Sequence, residues 1–440
     1  MTIKQQIRNL SPVWLINFYH LLQAVAANIA YGFPARKMRV TAITGTNGKT
    51  TSCFFLASIL RAAGRKVGML TTVRFTIGSQ IIANDLNMTT VNPFLLQKYL
   101  KKMLQHGCTD IVLETTSHAI DQHRIWGINF TAIGITNITH DHLDYHGTFA
   151  GYIETKKRLF TLPHKVSVLN RDDESFEQFE QTAVGKKIVY ALEHKDVDVT
   201  ARKILSEPGG TAFTIISSAG QQAVGLKVPG GFNVLNALCA TSLALGLDIP
   251  LSYIKKGLED VAQVPGRMEK VNVAEAKGRL NFSVIIDYAH TPDALEKAFA
   301  AIRPAVKGKL IAVYGATGDR DKAKRPVLGE IGGRMADIVF ITDEEPYTEE
   351  PGKIIEAVAE GVPKGATKER PKELGKTFFK IQSRMDAIGK AIDMAGSGDI
   401  VFITGMGDQS YKVIGSQKVP WSDRDVVQAM LRKKLAADRH

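Results

Sequence analysis

The chain has 440 residues, 44% of them apolar and 23% charged, which excludes a disordered chain and is typical of a globular protein with two or three domains. It carries 56 Lys and Arg against 44 Asp and Glu, a formal net charge of +12. We assign most of this charge to solvated faces and a share to phosphate ligands, because no nucleic-acid-binding motif accompanies it. Cys53, Cys108 and Cys239 have no metal-ligand spacing, and their odd number argues against a disulfide framework.

The first predicted element is a helix over residues 12–31, followed by Arg36, Lys37 and Arg39. The helix is amphipathic, and the stretch is too polar in its middle to span a membrane. Two interpretations stay open: a helix that docks on the next domain, and a helix that makes weak membrane-surface contact through residues 12–39. The polar face of this helix holds Asn17, His20, Ala24, Asn28 and Tyr31.

Residues 43–51 read Ile-Thr-Gly-Thr-Asn-Gly-Lys-Thr-Thr, after a β-branched run at 40–44 and before a helix-compatible stretch at 52–63. This order of strand, glycine-bearing loop and helix is typical of a phosphate-binding loop. Backbone N–H groups at the helix start cradle an anion, Lys49 adds positive charge, and the Thr50 hydroxyl is suited to Mg²⁺. Ile43 replaces the first glycine of the full P-loop pattern, which makes this the shorter Gly-Thr-Asn-Gly-Lys-Thr form.

Alternating strand and helix patterns predict an α/β fold with a mostly parallel sheet. Residues 197–229 differ, because short alternating runs with two Pro-Gly-Gly turns predict a small antiparallel insertion, followed by a helix over 233–245. We predict a short N-terminal helical segment over 1–38, a central P-loop ATPase domain over 39–265 and a C-terminal Rossmann-like α/β domain over 266–440. The predicted strands are 40–44, 67–72, 111–114, 132–136, 166–170 and 188–191, then 282–288, 310–314, 338–342 and 400–404.

Several polar residues follow predicted strands, where ligands bind in α/β sheets. Glu114 ends one strand, and residues 137–146 read Asn-Ile-Thr-His-Asp-His-Leu-Asp-Tyr-His. On the residues alone, this histidine-rich segment fits a metal site and a hydrogen-bonded loop equally well. Lys156 on its own is interpreted as a surface lysine. Asp287 and the 318–322 segment follow strands in the second half.

Together these motifs resemble the Mur ligases, most closely the branch that adds the third residue to the peptidoglycan stem peptide. The resemblance covers residues 39–430 in family order. It implies an ADP-forming ligase that uses ATP and Mg²⁺, in which a substrate carboxylate takes the γ-phosphoryl group and an amine then attacks the acyl phosphate. The matching stretches are Gly-Thr-Asn-Gly-Lys-Thr-Thr (45–51), Ser-His-Ala-Ile-Asp-Gln-His-Arg (117–124), Asp-His-Leu-Asp-Tyr-His-Gly-Thr (141–148), Phe-Asn-Val-Leu-Asn-Ala-Leu (232–238), Gly-Arg-Met-Glu (266–269), Asp-Tyr-Ala-His-Thr-Pro-Asp-Ala-Leu (287–295) and Gly-Asp-Arg-Asp-Lys (318–322).

The resemblance also implies roles for individual residues. The ATP-binding set is Gly45, Thr46, Asn47, Gly48, Lys49, Thr50, Thr51, Asn233, Asn236, Arg267 and Asp287. The catalytic set is Lys49, Glu114, His142 and Lys156. The metal ligands are Thr50, Glu114, His142 and Lys156, the lysine in carbamylated form. The residues for the muramoyl-peptide acceptor are Thr89, Thr90, Thr116, Gln122 and Arg124, and Arg320 matches a residue near the incoming amino acid.

The chain departs from this branch at its signatures for meso-diaminopimelate. The family's Asp-Asn-Pro-Arg aligns with Glu344-Glu345-Pro346-Tyr347, and its Gly-Lys-Gly-His-Glu aligns with Gly405-Met406-Gly407-Asp408-Gln409. Both charge partners of diaminopimelate are lost, so we expect another amino acid. Lysine or another diamino acid is the first expectation, because Glu344 and Glu345 can receive an ammonium group. Glu344, Glu345, Tyr347, Gly405 and Gln409 form the predicted amino-acid pocket.

A further departure lies at the start of the chain. The branch has an N-terminal domain for the uridine diphosphate end of its substrate. Here 38 residues precede the predicted ATPase domain, and we expect no uridine-binding domain from them.

We therefore predict a cytoplasmic, monomeric ligase that acts on a small-molecule cell-wall precursor and an amino acid, without nucleic acid. One alternative is a related ligase for another acid, such as a folylpolyglutamate-like or polymer-forming ligase. The matches at 117–148 and 287–295 argue against it. The other alternative is an inactive nucleotide-binding subunit, which the intact catalytic set disfavours.

Overall fold

Two β-sheets organise the computed structural model, which describes residues 12–84, 86, 88–207, 210–276 and 279–437. The predicted α/β class is confirmed. Residues 1–11 of the predicted N-terminal segment, and Pro208 and Gly209 of the first Pro-Gly-Gly turn, lie outside the described residues.

The larger sheet has a parallel centre and antiparallel edges. Its order is β11-β10-β9-β8-β7-β6-β1-β5-β2-β3-β4, and the strands from β8 to β2 in this order are parallel. The three strands of the predicted insertion are antiparallel, and they extend the same sheet because β9 pairs with β8. The hairpin of β3 and β4 was not predicted. The strands are β1 Arg39–Thr44, β2 Val67–Leu70, β3 Arg74–Ile77, β4 Gln80–Ala83, β5 Asp110–Glu114, β6 Phe130–Ile135, β7 Val166–Asn170, β8 Lys186–Tyr190, β9 Val199–Glu207, β10 Gly210–Ser217 and β11 Gly220–Leu226.

Helices cover both faces of this sheet, because successive strand residues point to opposite sides. In β1, for example, Ile43 belongs to one apolar core and Ala42 to the other. The first core includes helices Lys49–Ala62, Phe232–Gly246 and Leu251–Asp260. The second includes helices Pro93–Gln105, Ser117–Asp121, Phe149–Phe160 and Phe176–Thr182. Cys53, Cys108 and Cys239 are buried in these cores as free thiols.

The smaller sheet is parallel except at one edge, with the order β12-β13-β17-β14-β15-β16 and an antiparallel pair of β12 and β13. Apolar cores lie on both of its faces, as the Rossmann-like expectation requires. The domain boundaries at 38/39 and 265/266 stay a prediction, which the separate sheets support. The strands are β12 Glu269–Val271, β13 Ser283–Ile286, β14 Leu310–Tyr314, β15 Ile338–Ile341, β16 Phe378–Lys380 and β17 Ile400–Ile403, with a hairpin of β18 Tyr411–Ile414 and β19 Gln417–Pro420. The helices are Pro292–Ile302, Lys324–Met335, Pro351–Ala359, Arg384–Met394 and Asp423–Ala437.

The first described helix, Val13–Tyr31, matches the predicted helix and ends at Gly32, whose φ of 72° is the left-handed conformation common after a helix. It packs on helix Pro93–Gln105. Asn28 Nδ2 donates a hydrogen bond to the Trp126 carbonyl at 2.8 Å, so the helix is docked on the larger domain. Among the described helices, none is both long and apolar enough to cross a bilayer.

A fully buried ion pair ties the last helix to the end of β17. Arg384 donates to Asp423 through Nε (2.8 Å) and Nη2 (2.7 Å), and Nη2 also donates to the Thr404 carbonyl at 2.9 Å. Both charged side chains are inaccessible to solvent. Removing one partner would therefore leave an uncompensated buried charge.

We expect Asp423→Asn to lower the free energy of unfolding by about 3–5 kcal/mol, because the guanidinium loses its anion in a dry site. The measurement is the urea midpoint followed by circular dichroism. Asp425→Asn, at an exposed position of the same helix, is the matched control and should shift stability by no more than about 0.5 kcal/mol. Equal midpoints for the two variants would contradict this account of the pair.

Candidate active site

The predicted site residues gather at the carboxyl ends of parallel strands in both sheets, where α/β folds bind ligands. Loops of the two sheets meet there: Asn47 Nδ2 donates to Asp293 Oδ2 at 3.0 Å, and Arg320 Nη1 lies 4.0 Å from Asp144 Oδ2. The segments involved follow β1 (45–51), β5 (114–116), β6 (137–142), β13 (287–291), β14 (315–321), β15 (343–347) and β17 (404–409).

The phosphate loop turns into helix Lys49–Ala62 at Gly48, whose φ of 83° is left-handed. A Cβ at this position would overlap Asn236 Oδ1, so only glycine fits between the loop and helix Phe232–Gly246. No described side chain caps the helix start, and N–H groups at such an uncapped start can bind an anion. Asn236 in turn donates to Asn233 Oδ1 at 2.9 Å, so both predicted asparagines lie behind the loop.

Lys49 is folded back onto its own loop. Its Nζ donates to the carbonyls of Gly45 (3.0 Å) and Thr46 (2.7 Å). Burial lowers the pKa of Lys49, and the Glu114 carboxylate partly offsets that effect. These carbonyl bonds are weak anchors compared with a phosphate, because charge-assisted bonds to anions are stronger than those to neutral acceptors. Lys49 is therefore placed to turn toward phosphate.

Glu114 at the end of β5 is buried and bonded only to neutral donors among the described residues. Thr50 Oγ1 lies 3.0 Å from both carboxylate oxygens, and Thr72 donates through its N–H (2.9 Å) and its hydroxyl (3.0 Å). Such a set of hard oxygen atoms fits Mg²⁺. Within the described ranges, however, no three His, Cys, Asp or Glu side chains are arranged to hold a metal ion. The predicted metal set therefore stays a prediction.

Lys156 lies on the inner side of helix Phe149–Phe160 and is 1% exposed, so its interpretation as a surface lysine is wrong. Its Nζ donates to Thr44 Oγ1 at 3.2 Å and to the Gly45 carbonyl at 2.9 Å, beside the phosphate loop. Burial lowers the pKa of Lys156 well below its ordinary value, and the nearby Lys49 ammonium lowers it further. Burial and the neighbouring Lys49 therefore both disfavour the charged form of Lys156.

The histidine-rich segment packs its rings together beside these lysines. His142 has a φ of 53° and lies edge-on to His118, with ring centroids 4.8 Å apart. Burial lowers the pKa of both imidazoles, that of His118 to about 3. Both rings are therefore neutral at pH 7 and keep lone pairs available as ligands.

Sequence reasoning did not include Asp141 in the site, although it lies at the meeting point of the two halves. Burial alone would raise the pKa of Asp141, but His142, His290 and Lys324 together hold it below its ordinary value. The groups that lower its pKa therefore come from both domains. Asp141 begins the matching stretch 141–148, which was its signal in the sequence.

The predicted acceptor residues form one connected group next to Glu114. Thr90 Oγ1 donates to the Glu114 carbonyl at 2.9 Å and accepts from the Thr116 N–H at 3.3 Å. Arg124 donates to the Thr90 carbonyl and, at 2.6 Å, to Gln122 Oε1. The Thr89 hydroxyl bonds that of Thr72 at 2.7 Å, which completes the group.

Arg267 and Asp287 reach the site from the smaller sheet. The Arg267 guanidinium stacks over the Tyr288 ring at 4.3 Å, and it lies near enough to Lys49 to affect the pKa of that lysine. Asp287 accepts from the N–H groups of Met268 and Ala289, both at 2.7 Å, so its oxygens hold the chain at the domain junction. Direct contact of Asp287 with a nucleotide stays a prediction.

Three of the five predicted pocket residues come together around Arg320. The guanidinium lies 5.4 Å from the Tyr347 ring centre, and Gln409 Nε2 donates to Glu345 Oε2 at 3.4 Å. The other oxygen, Glu345 Oε1, is buried without a hydrogen-bond partner in the described part of the chain. Burial raises the pKa of Glu345 above its ordinary value. A cationic ligand group would satisfy this carboxylate.

The remaining two pocket residues face each other. A Cβ at Gly405, where φ is 105°, would overlap Glu344 Oε1, and that oxygen already accepts from the Gly315 N–H at 3.0 Å. Burial raises the pKa of Glu344 to about 7. Glu344 therefore contacts the loops that contain Gly315 and Gly405. Glu345 is the better candidate to bind an ammonium group. The adjoining Lys412–Asp343 pair, 3.1 Å apart, was not predicted.

The chain matches two family models, the Mur ligase middle domain over residues 43–244 and the Mur ligase glutamate ligase domain over residues 266–407. It is 36% identical over 410 residues to a UDP-N-acetylmuramoyl-L-alanyl-D-glutamate–2,6-diaminopimelate ligase from Clostridium botulinum, covering 93% of this chain and 81% of the relative. A solved structure of a ligase with the same description is 29% identical, with a TM-score of 0.62 and coverage of 92% and 79%.

A Mycobacterium tuberculosis folylpolyglutamate synthase with bound ADP and AMPPCP has a TM-score of 0.67 over 94% of this chain and 95% of that one. At 18% identity, this likeness concerns the fold alone. The match to the Clostridium ligase covers 93% of this chain, and the two family models together cover residues 43–244 and 266–407. The chain therefore belongs to the Mur ligase family of ATP-dependent amino-acid ligases.

Proposed function

We propose that this chain is a Mg²⁺-dependent, ADP-forming ligase that joins an amino acid to a carboxylate of a muramoyl-peptide precursor. The observation that carries the proposal is Lys156, buried beside the phosphate loop with only neutral oxygen partners among the described residues. A buried lysine without an anion is costly in a purely structural role. In a Mur-type ligase this lysine would be carbamylated and would serve as a metal ligand.

The environment of Lys156 suits carbamate formation. Burial favours the neutral amine, whose lone pair would attack the CO₂ carbon. The N–C bond forms as one C=O π bond opens onto oxygen, the nitrogen releases a proton to water, and an anionic carbamate results. This anion would compensate Lys49 and add oxygen ligands to those of Thr50 and Glu114. The carbamate would thereby add oxygen ligands for a metal ion that Thr50 and Glu114 alone do not provide.

Thr50, Glu114, His142 and the Lys156 carbamate would hold Mg²⁺, which supplies positive charge to the transferring phosphoryl group when it is bound. The chain's own contribution is to bind and orient. N–H groups at the start of helix Lys49–Ala62 would hold the ATP phosphates, with Lys49 turned from its carbonyls toward them. Arg267 would approach the nucleotide from the smaller sheet.

The acceptor group at Thr90, Thr116 and Arg124 would orient the peptide carboxylate toward the phosphates. A carboxylate oxygen attacks the γ-phosphorus; this O–P bond forms as the bond to the β-phosphate oxygen of ADP breaks. The amine of the amino acid then attacks the acyl carbon and loses a proton, and inorganic phosphate leaves with its electron pair. Holding both reactants in place supplies much of the rate enhancement in such reactions.

The amino-acid pocket favours a diamino acid such as lysine. Arg320 would bind the α-carboxylate, and the unpartnered Glu345 Oε1 would bind the side-chain ammonium. Tyr347 and Gln409 carry no charge for the second carboxylate and ammonium of meso-diaminopimelate. Leaving those groups unpaired in a buried pocket costs several kcal/mol, about 2–7 for a polar group.

The direct test measures ADP release with a muramoyl-dipeptide acceptor, with and without its UDP group, across a panel of amino acids. The proposal requires release that depends on both the acceptor and one amino acid. Release that is independent of the acceptor, or that requires a folate or another acid, would refute it.

The monomeric state, the cytoplasmic location and the membrane-surface contact stay predictions.

We expect Lys49→Ala to lower turnover by about 100-fold or more, because the loop loses the charge that stabilises the transferring phosphoryl group. Lys165→Ala, at an exposed position of the same domain, is the control and should retain full activity. The measurement is kcat for ADP release. More than a tenth of wild-type turnover in Lys49→Ala would contradict the phosphate-loop assignment.

We expect ¹³CO₂ to give a carbamate signal in the ¹³C NMR spectrum of the active protein that is lost in Lys156→Ala. The same variant should be nearly inactive, and short carboxylic acids should restore part of its turnover by filling the gap with an anion. Lys157→Ala, one residue on and paired with Glu154, should keep both signal and activity. An active protein without the signal would disprove the modification.

We expect Glu345→Gln to raise the KM for lysine at least tenfold, because the side-chain ammonium loses its anionic partner. The KM for ATP should stay unchanged. Glu350→Gln, at an exposed position nearby, controls for the change of charge. A competition assay in which meso-diaminopimelate is preferred tenfold over lysine would show that the pocket has been misinterpreted.

A further inference from the structure

The outer face of helix Val13–Tyr31 carries large apolar side chains that no described residue covers. Trp14, Phe18 and Leu22 follow one another at four-residue spacing and are 69%, 52% and 50% exposed. Leu15 and Tyr19 extend the same face, at 42% and 54% exposure. Two of these five side chains are amphipathic aromatics, which favour an interface between apolar and aqueous phases.

The inner face of the same helix uses small and polar residues. Ala24 and Ala27 are fully buried, and Asn28 donates to the carbonyls of Ala24 (2.9 Å) and Trp126 (2.8 Å). An ordinary surface helix buries its large apolar side chains and exposes its polar ones. This helix has the reverse orientation, so its docking on the larger domain leaves the apolar face available for something else.

The surroundings of this apolar face are cationic. Helix Pro93–Gln105, which packs against helix Val13–Tyr31, exposes Lys98, Lys101 and Lys102, and Lys101 Nζ lies 5.9 Å from the Tyr31 ring. The short turn Pro34–Lys37 exposes Arg36 and Lys37. None of these three elements contains an acidic residue.

The whole net charge of the protein is concentrated in this part of the sequence. Residues 1–109 contain 13 Lys and Arg and one acidic residue, Asp85, whereas residues 110–440 contain 43 of each sign. The basic residues themselves are spread along the whole chain, and the excess arises because acidic residues are nearly absent before residue 110. Two of the basic residues before residue 110, Arg39 and Arg65, form ion pairs with Asp110. The five exposed cations named above lie on the helix that packs against helix Val13–Tyr31 and on the turn that follows it.

We propose that this face binds the surface of an anionic lipid bilayer, with helix Val13–Tyr31 lying in the plane of the interface. The aromatic and aliphatic side chains would enter the region between headgroups and acyl chains, while the flanking Lys and Arg meet the anionic headgroups. Positive charge near an apolar face with exposed aromatic side chains is typical of a helix that lies on an anionic lipid surface. This inference does not depend on the identity of the ligase substrates.

The test is flotation of the full chain with vesicles of phosphatidylcholine containing 30% phosphatidylglycerol, against vesicles of phosphatidylcholine alone. We expect at least tenfold more protein to float with the anionic vesicles, and less at 0.5 M salt because the charges are screened. Flotation that is absent or equal with both vesicles would overturn the proposal.

Two sets of variants locate the binding face. Trp14→Ser with Phe18→Ser and Leu22→Ser, and separately Lys98→Glu with Lys101→Glu and Lys102→Glu, should each reduce flotation at least fivefold. The matched controls are Leu205→Ser with Leu374→Ser and Tyr253→Ser, and Lys353→Glu with Lys364→Glu and Lys368→Glu, all at exposed positions elsewhere. Circular dichroism verifies the fold of each.

Unchanged flotation in the first two sets would refute the assignment. Light scattering after gel filtration distinguishes the rival occupant. A wild-type dimer that dissociates with the serine set, without flotation, would show that the face binds a second copy of the chain instead.

Discussion

The site depends on two buried lysines that share one small region behind the phosphate loop. Lys49 and Lys156 both donate to the Gly45 carbonyl, at 3.0 and 2.9 Å, and the Lys49 ammonium disfavours the charged form of Lys156. Two cations in a dry site are unstable together, so one of them must be neutral or become an anion. The proposed carbamate of Lys156 would resolve this conflict and would supply a further metal ligand beside the phosphate loop.

The fold is the second constraint. In each sheet most strands are parallel, and their carboxyl ends face those of the other sheet. The phosphate loop follows β1, and the amino-acid pocket follows β14, β15 and β17 of the other sheet. The bond between Asn47 and Asp293 and the approach of Arg320 to Asp144 join the two halves. Under the proposed function, a phosphorylated acceptor and an incoming amine would be held on opposite sides of this junction, as stepwise amide formation requires.

Sequence patterns predicted the features that are local in the chain. The phosphate loop, the parallel strands and helix 12–31 follow from periodicity and glycine placement, and the departures at Tyr347 and Gln409 were visible against the family motifs. Features that arise from tertiary packing were not predictable. The burial of Lys156, the unpartnered oxygen of Glu345 and the inward turn of Asn28 depend on neighbours far away in sequence. Asp141 was missed for the same reason, because two of the four groups that lower its pKa, His290 and Lys324, come from the other domain.

The central claim is that the acceptor carboxylate is phosphorylated before the amide forms, and isotope transfer tests it most directly. An acceptor labelled with ¹⁸O in both carboxylate oxygens is incubated with the protein, ATP, Mg²⁺ and the amino acid that supports ADP release. The released phosphate is then analysed by mass spectrometry. The account predicts one ¹⁸O atom in each phosphate, since the carboxylate oxygen that attacked the γ-phosphorus leaves with it. Phosphate without label, formed at the same rate as ADP, would contradict it.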